Sequence, residues 1–329
     1  GNRSGDRLRS DGSASARIPS KAAAMRYDRD GFPIPPEFDV PVDVPAEGGS
    51  RPPRRRAGAG KRLLIAALIA GVVLPALLAP VAMPLIREAV VAWSLEQATF
   101  HEVQDDLPTA VSHMTRAIDW YGEDAELLCM RAMLRLENRD PAGAIADAKV
   151  AAAAMPTSPT PSRVRALAHV VAGEPEAALE AAELAVQLAG RGDPEALNHR
   201  AYIRALVGRD LSEALADIDA ALAVRDDEPV EFFDTRGFIL HLLGRQQEAI
   251  DQLNLAIDGM QRERRQALLL AERIDRVQLA RRLRWFDHSL AVMHHHRALA
   301  CQAIGLEGQA EQDFEIARKK GFDPSRGVM

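Results

Sequence analysis

The chain has 329 residues, a formal net charge of −6, and 47% apolar but only 5% aromatic residues. Such length and apolar content allow a sizeable core, whereas the acidic balance excludes general nucleic-acid binding, which draws most of its affinity from basic side chains on phosphates. So few aromatics also leave little for bases to stack on.

Residues 1–61 are rich in Ser, Gly, Pro, Arg and Asp, with 12 basic against 8 acidic side chains. They carry too little apolar surface to offset chain entropy and are expected to form a disordered cytoplasmic tail. Met25 is a second candidate start, which leaves residues 1–24 open as native tail or added sequence. From Phe32 to Pro41 the tail is proline-rich; polyproline II there would serve as a docking motif for a cytoplasmic partner or as a plain linker.

From Leu63 to Ile86 no charge occurs in 24 residues. At 1.5 Å per residue this covers about 36 Å, enough for an apolar bilayer core of about 30 Å. A transmembrane helix is therefore expected over residues 62–87. Pro75, Pro80 and Pro84 predict a kinked or loosened C-terminal half. Arg51, Arg54, Arg55, Arg56, Lys61 and Arg62 precede the span and only Arg87 follows closely, so the N-terminus is expected in the cytoplasm and the rest on the periplasmic or extracytoplasmic side. A signal peptide cut near Ala82, releasing a secreted or periplasmic protein, is the competing expectation.

Beyond the span, residues 88–329 hold 27 basic against 39 acidic side chains. Here Ala110, Ala144 and Ala178 stand 34 residues apart and open the same phrase, which recurs with slips of register at Ala214, Ala249 and Ala310. Twelve residues before the marker stands a second small residue: Ala98, Ala132, Ala166, Gly237 and Ala298, with Ala201 one place out. Paired small residues at a fixed offset predict two helices crossing closely in each unit, and the period predicts an array of such hairpins. Turns are expected at Asn138–Pro141, Ala172–Pro175, Gly208–Asp210 and Leu243–Arg245. Cys129 and Cys301 fall in the first helices of units two and six and read as small core residues.

This pattern resembles the tetratricopeptide repeat (TPR) family over roughly residues 91 to 324. The family's helix-ending proline is matched by Pro156, with Gly122 and Gly190 in the equivalent places elsewhere; the first-helix Trp and Tyr are mostly absent. The resemblance implies an all-α, right-handed superhelical solenoid of about six helical hairpins, with units 1–5 over 91–257, unit 6 over 291–324 and a tail at 325–329. Preceded by one transmembrane helix, it would be a membrane-anchored scaffold or adaptor for protein–protein interactions at the cell envelope. The family's concave wall commonly presents the fifth residue of each first helix, here Leu95, Cys129, Arg163, Asn198, Asp234 and His295, with Glu102, His241 and Gln302 further along. Arg163, Asn198, Asp234, His241 and His295 are thus the candidate groove for a protein or peptide, or else ordinary solvated side chains. A carboxylate clamp rich in lysine and asparagine is missing.

Between units five and six the period breaks. Residues 258–290 are expected to form a basic helical insertion exposing Arg262, Arg265, Arg273, Arg276 and Arg281, with Arg264, Arg282 and Arg284 alongside. Leu270, Ile274 and Val277 would seat it on the array, extended by Leu283, Trp285 and Phe286. Its arginines would meet acidic lipid head groups, an acidic partner, or the chain's own acidic repeats.

No glycine-rich phosphate loop, nucleophile elbow, paired-cysteine spacing or His-Glu-x-x-His occurs, so neither catalysis nor a cofactor is expected. His294, His295 and His296, preceded by Asp287 and His288, invite a metal reading. Consecutive helical residues point about 100° apart, however, so surface histidines lining a groove are expected instead.

Overall fold

A computed structural model describes residues 26–27, 33–34, 59–225 and 229–323. Most of the expected tail, most of Phe32–Pro41 and residues 325–329 lie outside them. The chain divides into two compact units, Gly1–Leu64 and Ile65–Met329. In the first, β1 (Arg26–Tyr27) pairs antiparallel with β2 (Pro33–Ile34), Arg26 opposite Ile34. This is a local bridge within a segment expected to lack structure.

The apolar segment forms one rod: α1 (Ala59–Leu68), a π-helical turn (Ile69–Val73) and α2 (Leu74–Val103) follow one another without a break. Leu63–Val103 is the one helix among the described residues long and apolar enough to cross a bilayer, a test that a signal sequence also passes, and none of its apolar window is buried. The loosening expected in the C-terminal half lies earlier. Pro75 would clash with the carbonyl of Gly71, and the π turn falls around that position, while α2 continues through Pro80 and Pro84.

The C-terminal half of α2 is already the first helix of the array. After it come α3 (Leu107–Tyr121), α4 (Ala125–Glu137), α5 (Pro141–Ala154), α6 (Thr160–Val171), α7 (Pro175–Ala189), α8 (Pro194–Val207), α9 (Leu211–Ala223), α10 (Val230–Leu242), α11 (Gln246–Leu269), α12 (Arg276–Ala303) and α13 (Glu307–Lys319). Packing is pairwise, α2 on α3, α4 on α5, and so on to α12 on α13, with each pair also touching the next. All four expected turns fall between helices of a pair. The backbone repeats with the sequence: Asp105, Arg139 and Gly173, 34 residues apart, have φ of 61°, 60° and 73°, and Gly208, Gly244 and Gly305 repeat this left-handed turn. Aspartates cap several helices, among them Asp124, which accepts from Glu126 and Leu127 N–H at 2.9 and 3.0 Å.

The paired small residues are where the helices cross. Ala98, Ala110, Ala132, Ala144, Ala166, Ala178, Ala201, Ala214, Ala249, Ala298 and Ala310 are all buried. A Cβ on Gly237 would lie 2.6 Å from Leu253 Cγ and 3.2 Å from the Ala249 carbonyl oxygen, so the α10–α11 crossing requires glycine.

Polar clamps reinforce alternate units. Arg131 donates through Nε and Nη2 to Asp147 at 2.9 and 2.6 Å, Arg200 to Asp217 at 2.8 and 2.7 Å, and Arg297 to Asp313 at 2.8 and 2.7 Å. Each arginine directly precedes the first-helix small residue, and each aspartate lies three residues after the marker alanine. The forked guanidinium thus ties the two helices of one hairpin.

The basic insertion is not a separate helix. Residues 258–290 instead lengthen both α11, to 24 residues, and α12, to 28, into one long hairpin. Ala267, Phe286, Leu290, Met293, Met260 and Ile257 form its core. Leu270, expected to seat the insertion, is 45% exposed near the hairpin's end, because the apolar spacing that suggested one helix face runs across the turn between two helices.

Candidate partner-binding surface

The five groove positions fall on four successive first helices, with unequal freedom. Asp234, on α10, is buried and accepts a 2.9 Å hydrogen bond from His296 Nδ1, whose ring stacks on Phe238 at 4.1 Å. His241 closes the α10–α11 turn, Nδ1 lying 2.8 Å from Gln246 Oε1 while Gln246 donates to its carbonyl. His295 packs against Phe322, centroids 4.4 Å apart, and burial, then the neighbouring His296 and His241, lower its pKa to about 4. These three are held by the chain's own contacts. Arg163 on α6 and Asn198 on α8 are half-buried, and Asn198 Oδ1 is enclosed without a hydrogen-bond partner.

Next to Asn198 stands His199, buried with its ring against the Arg163 backbone. Burial, then the Arg163 charge, push its pKa down to about 3. One helical turn from Asn198, the Tyr202 hydroxyl has its pKa raised by burial and by Asp234. Sequence reasoning missed His199 and Tyr202 because they adjoin the carried-over position rather than occupy it. Enclosed acceptors beside a guanidinium suit a ligand with N–H donors and a negative group.

The histidine tract diverges as helical geometry requires, though into the core rather than onto the surface. His294 lies 2.7 Å from Asp313 within the α12–α13 clamp, and His296 reaches α10. Among the described residues no three His, Cys, Asp or Glu side chains converge as metal ligands would.

The basic hairpin turns much of its charge inward. Arg281 pairs with Glu102 at 3.2 Å, and Arg284 with Asp105 at 3.0 Å and Glu137 at 3.2 Å, bringing α12 against the first and second units. Arg264 pairs with Asp287. Arg265, Arg273 and Arg276 are exposed and have no ion-pair partner among the described residues, while Arg262 is exposed with contacts of its own. Between α12 and the inner positions of α2 and α4 lies an open cleft of about 500 Å³, lined by Leu95, Thr99, Met130, Val277 and Arg281 among others. The inner wall of the first two units therefore faces the chain's own hairpin.

No family model and no curated protein matches the chain. Solved structures do resemble it: a tetratricopeptide repeat protein from Parabacteroides merdae (17% identity, TM-score 0.42, covering 72% of this chain and 95% of that one) and the TPR protein TTC0263 of Thermus thermophilus (21%, 0.45, 51% and 90%). The Cut9–Hcn1 hetero-tetramer of APC/C is similar over 73% of this chain and 43% of its own, at 17% identity and a TM-score of 0.48.

Proposed function

We propose that the chain is a membrane-anchored scaffold of the TPR kind, its helical hairpins presented on the extracytoplasmic face to a protein or peptide partner. The observation that carries this reading is the rod itself: an uncharged, unburied helix of bilayer length runs without interruption into the first helix of the array. Basic residues concentrated before the span support an N-terminus in the cytoplasm. Within the groove, Arg163, Asn198 and His199 support recognition of an extended segment, whose backbone N–H groups would satisfy the enclosed acceptors and whose carboxylate would meet the guanidinium. Arg265, Arg273 and Arg276 offer an acidic partner a second surface.

Two measurements test the reading. Carbonate extraction of membranes should leave the full chain in the pellet; release into the supernatant, or a mature N-terminus just after Ala82, would replace the anchor with a signal peptide. A photo-reactive residue at Asn198 should capture one defined envelope protein, and Arg163→Glu should abolish that capture. Capture unaffected by Arg163→Glu would remove the groove from the reading.

A further inference from the structure

The rod has a consequence at the level where the apolar span ends. Ile86 closes the uncharged run and Arg87 is the first charge after it. α3 packs back along α2, so its last turn returns to that level: the Arg87 guanidinium lies 5.4 Å from the Tyr121 ring centroid. A turn and a half along α2, Arg116 of α3 stands 5.7 Å from the ring of Trp93. Trp120 and Tyr121 are 39% and 50% exposed and Trp93 is 45% exposed. The chain has three tryptophans and three tyrosines, and two of the former and one of the latter gather here, large rings left in the open beside two arginines.

Tryptophan and tyrosine concentrate where a bilayer meets water, because their rings are apolar at one end and hydrogen-bonding at the other, and arginine beside them reaches the phosphates. The level fits. A head-group layer adds about 5–7 Å to each side of the apolar core, which at about 1.5 Å per residue extends three to five residues past Ile86. Arg87, and with it Tyr121 and Trp120, falls inside that layer. Trp93, seven residues past Ile86, stands about 10 Å out, at its outer edge. Trp285 serves as contrast. Its neighbour Arg284 pairs with Asp105, nineteen residues past Ile86, which places it about 28 Å away.

We infer that Trp120, Tyr121 and Trp93, with Arg87 and Arg116, form a collar that seats the first hairpin in the phospholipid head-group layer. The inference rests on the reading that residues 63–86 span a membrane. The array is then not tethered by a flexible stalk but stands on the bilayer through two helices, α2 leaving it and the end of α3 returning to it.

The test uses the full chain reconstituted into phosphatidylcholine–phosphatidylglycerol vesicles containing lipids brominated at shallow or deep acyl positions. Single-tryptophan variants retain only Trp120, Trp93 or Trp285, the others changed to Phe; a fourth carries Leu77→Trp in a background without the native three. Leu77→Trp should be quenched most by deep bromines, which reports the anchor on its own. Trp120 should be quenched several-fold more than Trp285, and more by shallow than by deep bromines, with Trp93 intermediate. If Leu77→Trp is quenched while Trp120 responds only to aqueous acrylamide, the anchor stands and the collar is overturned. Protection of Trp120 from both quenchers would mean a protein covers it, which also overturns the collar. If Leu77→Trp itself escapes the lipid quenchers, the anchor fails and the collar with it.

Discussion

At the scale of single residues, the clamps carry consequences that the sequence held but did not advertise. Arg131 and Asp147 have side chains 12% and 5% exposed, so removing the aspartate strands a guanidinium between two helices. Asp147→Ala should lower unfolding free energy by about 3–5 kcal/mol, the range for breaking a buried pair from one side, measured by urea denaturation. Little change would show that Thr115, which accepts from Arg131 Nη1 at 3.2 Å, and water suffice to rehouse the charge, even though Arg135 loses its 2.9 Å contact with Asp147 as well. The pattern was legible, an arginine before the first small residue and an aspartate three after the marker, yet it recurs only in alternate units, so a search for residues common to all units passes over it. His296 was not legible, since its partner Asp234 lies 62 residues away. A second prediction concerns His199. With its pKa held near 3 in the fold against 6.5 for an ordinary histidine, the unfolded chain binds a proton that the folded chain refuses between those values. Stability must then fall as pH drops below about 6.5, by about 1.4 kcal/mol per pH unit for this histidine. His199→Leu should reduce that slope in denaturation midpoints from pH 6.5 to 4.5 without lowering stability at pH 7.5. An unchanged slope would return the acid sensitivity to other groups, among them His295.

Among elements, the helix crossing is what the sequence showed most clearly. Period and paired small residues foretold each hairpin because a crossing leaves room for only one kind of side chain, and that constraint is local to two positions twelve residues apart. Gly237→Ala tests it. The added methyl would sit 2.6 Å from Leu253 Cγ, and overpacking of this sort costs about 1–3 kcal/mol, whereas the same change at an open helical position would stabilise. A rise in thermal midpoint on Gly237→Ala would mean the α10–α11 crossing is looser than its geometry. The long α11–α12 hairpin was misjudged for the opposite reason. Apolar spacing through Leu270, Ile274 and Val277 suits a helix, yet Asp275 stands inside that run as the cap that starts α12, accepting from Val277 and Gln278 N–H. Periodicity alone does not distinguish one amphipathic helix from two helices joined by a short turn.

For the whole molecule, the long hairpin links units that sequence keeps far apart. Arg281 with Glu102 and Arg284 with Asp105 share an offset of 179 residues, one helical turn apart, so α12 runs alongside α2 in the same direction. Their crossing sites, Ala98 and Ala298, differ by 200. The sixth unit is therefore displaced along α2 by 21 residues, about 30 Å, and the lengthened hairpin reaches back across that rise to the first. None of this could be seen in the sequence, because it depends on how each hairpin's rotation accumulates over the array. These ion pairs are partly open to water, where each contributes on the order of 1 kcal/mol, so Arg281→Glu with Arg284→Glu should lower global stability only modestly. Local opening is a different quantity. Residues 270–285 are tied to α2 and α4 chiefly through these charges and the edge of an open cleft, and reversing two of them sets acid against Glu102, Asp105 and Glu137. Hydrogen exchange should then quicken several-fold in 270–285 and in 95–105, with exchange in α6 to α9 unchanged; high salt should partly reproduce the effect on the unaltered chain, as screening demands. Unchanged exchange at both ends would mean that apolar contact, through Val277 and Met130 against Leu95, holds the bridge by itself.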